Sequence, residues 1–213
     1  MKTILCFGDS NTYGYAATTG GRYSFAQRWP RVLASALGSG YHVVEEGLPG
    51  RTTVFDDPLT EGLSGLATIT PLMMSHMPLD LLIVMLGTND TKGRFGVEAG
   101  MIAKGMRRLL QKAMHTEAWR NEPNILLVAP TPIIPCYSKY DTLGGFGPGA
   151  DKKSEQLAAA YKLVAQELNL PFFDAGTVIS ADEADGVHLT VEAHEVLGKT
   201  LAELVTKQQL SGE

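Results

Sequence analysis

A chain of 213 residues with a formal net charge of −5 is long enough for one domain with a sizeable core, and it lacks the basic surplus that nucleic-acid binding requires. Hydrophobic residues make up 44% and charged residues 19%, as expected of a soluble globular protein, and no stretch approaches the roughly twenty apolar residues of a membrane span. The two cysteines, Cys6 and Cys136, match no redox or zinc spacing, so a cytoplasmic, reducing compartment is the simplest account.

From the N-terminus, Met1-Lys2-Thr3 leads into an apolar run at residues 4–7, which stops at Gly8-Asp9. That run is shorter than the core of a signal peptide and predicts a buried strand, with Cys6 as a small hydrophobe inside it. A long loop at residues 8–24 follows. Residues 28–37 predict a helix, because Trp29, Val32, Leu33 and Leu37 share one side, Pro30 stands near the start and Gly38 follows the end. Residues 41–46 and Leu81–Met85 predict two further strands. Residues 96–118 predict a helix through Ile102, Met106, Leu109, Leu110 and Ala113, and Lys104, Arg107, Arg108 and Lys112 fit its solvated face.

Ile125–Ala129 reads as a fourth strand. Residues 130–150 hold Pro130, Pro132, Pro135, Gly144, Gly145, Gly147, Pro148 and Gly149, which predicts a long loop with no regular element. A helix is expected over residues 151–168 from Leu157, Tyr161, Val164 and Leu168, then a strand at Phe172–Asp174. The last helix is expected over residues 191–207, with Leu197, Leu201 and Leu204 facing inward. Strands apolar on both faces belong to parallel sheets. Their alternation with helices predicts a single α/β domain over residues 1–213, a three-layer α/β/α sandwich around a mostly parallel five-stranded sheet.

In such sheets the chemistry gathers at the carboxyl ends of the strands. The first strand ends in Gly8-Asp9-Ser10-Asn11-Thr12, which sets a hydroxyl at the sheet's rim. The second leads into Gly47-Leu48-Pro49-Gly50-Arg51, where the N–H of Gly50 can approach a ligand with no side chain in the way. Arg51 there reads as a ligand group or as a structural partner of Asp56 or Asp57. The third ends in Gly87-Thr88-Asn89-Asp90, and the Asn89 amide is a suitable fixed donor for an oxyanion. Asp185-Gly186-Val187-His188 spaces a carboxylate three residues before an imidazole, close enough to orient the ring in one turn. His42, His76, His115 and His194 carry no such partner in sequence, and His194 reads as surface or packing. Each segment alone passes for a turn. Together they supply a nucleophile (Ser10), a base (His188), an orienting acid (Asp185) and three oxyanion donors (the N–H groups of Ser10 and Gly50, and the amide of Asn89).

These four segments resemble the blocks of the SGNH hydrolases, the GDSL family of esterases and lipases, in family order and over almost the whole chain. The stretches Cys6-Phe7-Gly8-Asp9-Ser10, Glu45-Glu46-Gly47-Leu48, Arg51-Thr52-Thr53, Met85-Leu86-Gly87-Thr88-Asn89-Asp90-Thr91-Lys92 and Phe172-Phe173-Asp174-Ala175-Gly176 are similar to its bacterial arylesterase/acyltransferase branch. The resemblance implies a flavodoxin-like fold, hydrolysis of short aryl and alkyl acetates without a cofactor or metal, acyl transfer to alcohols or peroxide, and a homo-oligomer. Pro49 departs from the serine expected there and predicts a stiffer oxyanion loop. Tyr13, Tyr15, Ile134 and Phe146 are the candidate pocket walls, and a small-molecule ester is the expected partner, with neither nucleic acid nor membrane. Two other readings compete: a two-metal phosphoesterase using Asp9, Asn89, Asp90, Asp185 and His188, and a binding module that kept the fold and lost the chemistry. Nucleotide binding lacks support, because residues 144–149 do not join a strand to a helix and no phosphate-binding lysine motif occurs.

Overall fold

A computed structural model describes residues 1–141 and 145–210. The chain begins with β1 (Lys2–Gly8), α1 (Ser10–Tyr13), the short strands β2 (Tyr15–Ala16) and β3 (Gly21–Arg22), α2 (Trp29–Leu37) and β4 (Tyr41–Gly47). It continues through α3 (Gly65–Ser75), β5 (Leu81–Met85), α4 (Ala99–Met114), β6 (Ile125–Ala129), α5 (Ala150–Glu155), α6 (Leu157–Leu168), β7 (Phe172–Asp174) and α7 (Val191–Leu210). Five strands pair in the order β4-β1-β5-β6-β7, all parallel.

Alternate residues of each strand face opposite layers, as a pleated backbone requires. On one side Leu5, Phe7, Leu82, Val84, Ile125 and Leu127 pack with residues of α3, α4 and α6. On the other, Ile4, Cys6, Leu81, Ile83, Leu126 and Val128 pack with α2 and α7. The expected three-layer sandwich is therefore observed. Chain order reverses between β1 and β5, because β1 is followed by a neighbour on one side and later by β5 on the other. Such a switch point opens a crevice at the carboxyl ends of the two strands. Register decides which loops meet there: Gly8 lies opposite Gly47 on one side and Met85 on the other. The loops that start at Asp9, Leu48 and Leu86 thus leave the sheet side by side.

Several elements differ from expectation. The loop at residues 8–24 contains α1 and the β2–β3 hairpin. The helix expected over 96–118 is α4, shorter at both ends. The helix expected over 151–168 is divided at Gln156 into α5 and α6. The loop at 130–150 is not wholly irregular, since Pro135–Lys139 forms a 3-10 turn with Pro135 at its first position, where a missing N–H costs nothing. Gly144, one of the breakers in that loop, lies outside the described residues. Helix α3 was not expected at all: Pro71 interrupts its pattern, yet Ile69 and Met73 are fully buried in the core and hold it helical. Among the described residues no helix is long and apolar enough to cross a membrane.

Packing, not surface exposure, is the role of His194. It lies on α7 where that helix meets α2, fully buried, and its Nδ1 accepts the Trp29 N–H at 3.2 Å, one of the orphan donors at the start of α2. Burial, with the charges of His188 and Arg28, pushes its pKa down to about 4. An unfolded histidine titrates near 6.5. The folded group stays neutral while the unfolded one takes up a proton, so stability is present above pH 6.5 and is lost as pH falls toward 4. His194→Asn keeps an acceptor for the Trp29 N–H and removes the titration. Urea unfolding at pH 7 and pH 5 is expected to show the wild type losing about 2 kcal/mol more than this variant, and equal losses would contradict the assignment.

Candidate active site

The first strand delivers Ser10 to the rim as the opening residue of α1, and Asp9 caps that turn by accepting the Asn11 N–H at 3.0 Å. The hydroxyl of Ser10, on a largely buried residue, lies 2.9 Å from Nε2 of His188. On the far side of the imidazole, Nδ1 lies 2.5 Å from Oδ2 of Asp185. The other oxygen of Asp185 accepts the N–H groups of Val187 and His188, each at 2.9 Å. Gly186 turns the chain between acid and base at φ 77, and a Cβ there would sit 2.5 Å from the Tyr137 nitrogen, so only glycine fits. Burial pushes Asp185 up, but the hydrogen bond and charge of His188 and the two N–H groups outweigh it. The carboxyl is held below its ordinary value and stays ionised.

Asn11 joins the serine turn to the histidine loop. Its amide donates to the Val187 carbonyl at 3.3 Å and accepts the Leu189 N–H at 3.1 Å, one residue to either side of His188. Tyr23 adds a hydrogen bond to the Leu189 carbonyl at 3.2 Å. The distance between hydroxyl and imidazole is thus set by buried contacts between segments 178 residues apart.

The other two loops are tied as closely. Leu48 to Arg51 form a turn closed by Arg51 N–H on the Leu48 carbonyl at 3.0 Å, with Pro49 and Gly50 (φ 86) at its centre. Proline then left-handed glycine is what such a turn selects, and this accounts for the Pro-Gly pair. Asn89 is buried, and its amide donates to the Arg51 carbonyl at 3.1 Å and lies 3.5 Å from Asp9 Oδ2. Asp90 accepts the Thr53 N–H at 2.9 Å and also the Thr53 hydroxyl, locking the third loop to the second. Burial raises both Asp9 and Asp90 to about 6.

Arg51 pairs with neither Asp56 nor Asp57. Its guanidinium turns inward over the Phe7 ring and donates to the carbonyls of Gly8 (2.9 Å) and Glu46. Asp57 instead binds Arg94 at 2.7 Å. Of the four candidate pocket walls, Phe146 lines a cavity of about 280 Å³ that Asp185, Val187 and His188 bound on one side. Tyr15 stands against the His188 ring, with centroids 4.4 Å apart. Tyr15, Tyr13 and Ile134 are not among the residues that bound this cavity; Tyr13 carries the Arg22 guanidinium 4.1 Å above its ring, and the Ile134 N–H bonds the Gly186 carbonyl at 2.9 Å. Lys92, Arg94, Tyr137 and Tyr140 line the cavity without having been singled out in the sequence. Only Lys92 carried any signal, as a neighbour of the Gly-Thr-Asn-Asp segment.

The five side chains considered for a two-ion centre are engaged with protein groups, and among the described residues no cluster of three or more His, Cys, Asp or Glu is placed to hold a metal.

Residues 6–196 match the model of the GDSL-like lipase/acylhydrolase family. The chain belongs to that family. This chain is a carboxylic ester hydrolase. Among solved structures it is similar to the aryl esterase of M. smegmatis, 39% identical over 97% of this chain and 99% of that one, with a TM-score of 0.91. It is also similar to a carbohydrate acetylesterase from Sinorhizobium meliloti, 38% identical over 98% of this chain and all of the other, again with a TM-score of 0.91. No curated protein matches. The matched region includes the turn that carries Ser10 and runs through the histidine loop into the first part of α7.

Proposed function

We propose that this GDSL hydrolase is a serine esterase acting on short-chain acyl esters, with Ser10 as nucleophile, His188 as base and Asp185 as the group that orients it. The observation that carries this reading is the continuous hydrogen-bonded path from Ser10 Oγ through His188 to Asp185, at 2.9 and 2.5 Å. His188 takes the hydroxyl proton as Ser10 Oγ adds to the ester carbonyl. Asp185 keeps the proton-bearing nitrogen turned away from the serine and stabilises the imidazolium without accepting its proton. The tetrahedral oxyanion is met by the N–H groups of Ser10 and Gly50 and by the Asn89 amide; losing one such donor raises the barrier by about 3–4 kcal/mol. His188 then protonates the departing alcohol, leaving the acyl group on Ser10.

Water completes the cycle by releasing the acid. An alcohol or hydrogen peroxide that reaches the acyl-serine takes its place. The name of the S. meliloti relative supports acetyl as the acyl group, and that of the M. smegmatis relative supports aryl alcohols. The test is a series of p-nitrophenyl esters of increasing chain length, with and without added alcohol. The expected result is a steep fall in kcat/KM beyond acetate or butyrate, and formation of the new ester when alcohol is present. Undiminished activity on long chains would overturn the short-acyl assignment, and acid as the sole product in the presence of alcohol would overturn the transfer step.

A further inference from the structure

We propose that the cavity beside His188 is an anion-selecting subsite for the leaving alcohol, in which Lys92 recognises a carboxylate carried by that alcohol. The proposal rests on the esterase reading above. In that reading His188 hands its proton to the departing oxygen, so space bounded by Asp185, Val187 and His188 lies on the leaving-group side. Aromatic walls from Tyr137, Tyr140 and Phe146 suit a flat, ring-bearing alcohol.

The charged groups facing this cavity are not equivalent. Arg94 is committed: it donates to Asp57 through Nε and a terminal nitrogen at 3.2 and 2.7 Å, and to the Gly145 carbonyl at 3.0 Å. Asp141 is committed too, accepting the Phe146 and Gly147 N–H groups at 3.1 and 2.8 Å. Asp185 holds His188. Lys92 is left over. It is half-buried, with its ammonium 5.4 Å from the centre of the Phe146 ring, and that ammonium makes no hydrogen bond or ion pair with a described residue. An ammonium carries three donors, and none of these is spent on a described residue. Burial draws its pKa down, as does Arg94 beside it, against the opposing pull of Asp57, Asp9 and Asp90. A half-desolvated cation facing a cavity gains most from a ligand that brings the missing negative charge.

The informative pair of substrates is 4-acetoxybenzoate and its methyl ester, which differ in charge and little in shape. Lys92→Gln is expected to lower the ratio of kcat/KM for the anionic over the neutral ester by about tenfold, with Lys92→Arg restoring most of it. A ratio that moves by less than about twofold overturns the proposal, whether both rates fall together or neither changes. Binding reads the same subsite without turnover. In the Ser10→Ala protein, 4-hydroxybenzoate is expected to raise Tm more than 4-hydroxybenzamide does, and adding Lys92→Gln to remove that difference. Equal shifts in the presence of Lys92 would overturn the subsite. If neither ester is hydrolysed while binding still depends on Lys92, the esterase reading fails and the anion site stands.

Discussion

Ser10→Ala is expected to abolish hydrolysis of p-nitrophenyl acetate, lowering kcat by about a millionfold, the loss seen when a triad loses its nucleophile. The fold has little reason to change. Asp9, not Ser10, caps α1, and the hydroxyl's hydrogen bond is to His188. Thermal unfolding should therefore stay close to the wild type's while turnover disappears. A fluorophosphonate, which reacts only with an activated serine, should label the wild type at Ser10 and leave the variant unlabelled. Turnover retained in the variant would remove Ser10 from the mechanism. Labelling that fails in an active wild type would show that the serine is not activated by its neighbours.

Asp185→Asn comes second, with kcat expected to fall about ten-thousandfold. The asparagine oxygen can still accept the N–H groups of Val187 and His188 that Asp185 now holds at 2.9 Å, so the bend around Gly186 is preserved. What changes is the proton on the ring. An amide NH₂ facing Nδ1 demands an acceptor there, which moves the ring proton to Nε2. That nitrogen can then no longer accept from the Ser10 hydroxyl, 2.9 Å away. The loss should appear in kcat with KM almost unmoved, because Asp185 touches His188 and not the scissile bond. A fall of less than about tenfold would mean that the imidazole is positioned by the Asn11 and Tyr23 contacts alone.

Sequence sufficed wherever one short segment carries its own constraint. Leu81–Met85 and Ile125–Ala129 are strands with the bounds their composition predicts, since a strand buried on both faces must be apolar throughout, and the half-buried edge strand Phe172–Asp174 also has its predicted bounds. Asp185 meets His188 because three residues and a glycine suffice for the reach. The pairing of Ser10 with His188 is different. It was legible only through the sheet, as two segments assigned to one rim, and its 2.9 Å distance depends on Asn11 clasping the backbone on both sides of residue 188.

Other features left no periodic trace. Helix α3 is hidden by Pro71 and exists because Ile69 and Met73 have a core to enter. Arg51 faces inward to the Gly8 and Glu46 carbonyls, although acidic residues stand close by in sequence, because Arg94 has already taken Asp57. The cavity wall draws Lys92, Tyr137, Phe146 and His188 from three separate loops, and Tyr13, Tyr15 and Ile134 are not part of that lining.

The amino-acid order by itself determined the layered architecture, the rim at which the chemistry gathers and the residues able to perform it, because burial patterns and short spacings are local properties. The tertiary structure alone decided which polar side chains are spent on one another and which remain for a ligand, because that depends on contacts between segments far apart along the chain. Lys92 is the residue for which this distinction matters most: nothing near it in sequence shows that its ammonium makes no hydrogen bond or ion pair with a described residue.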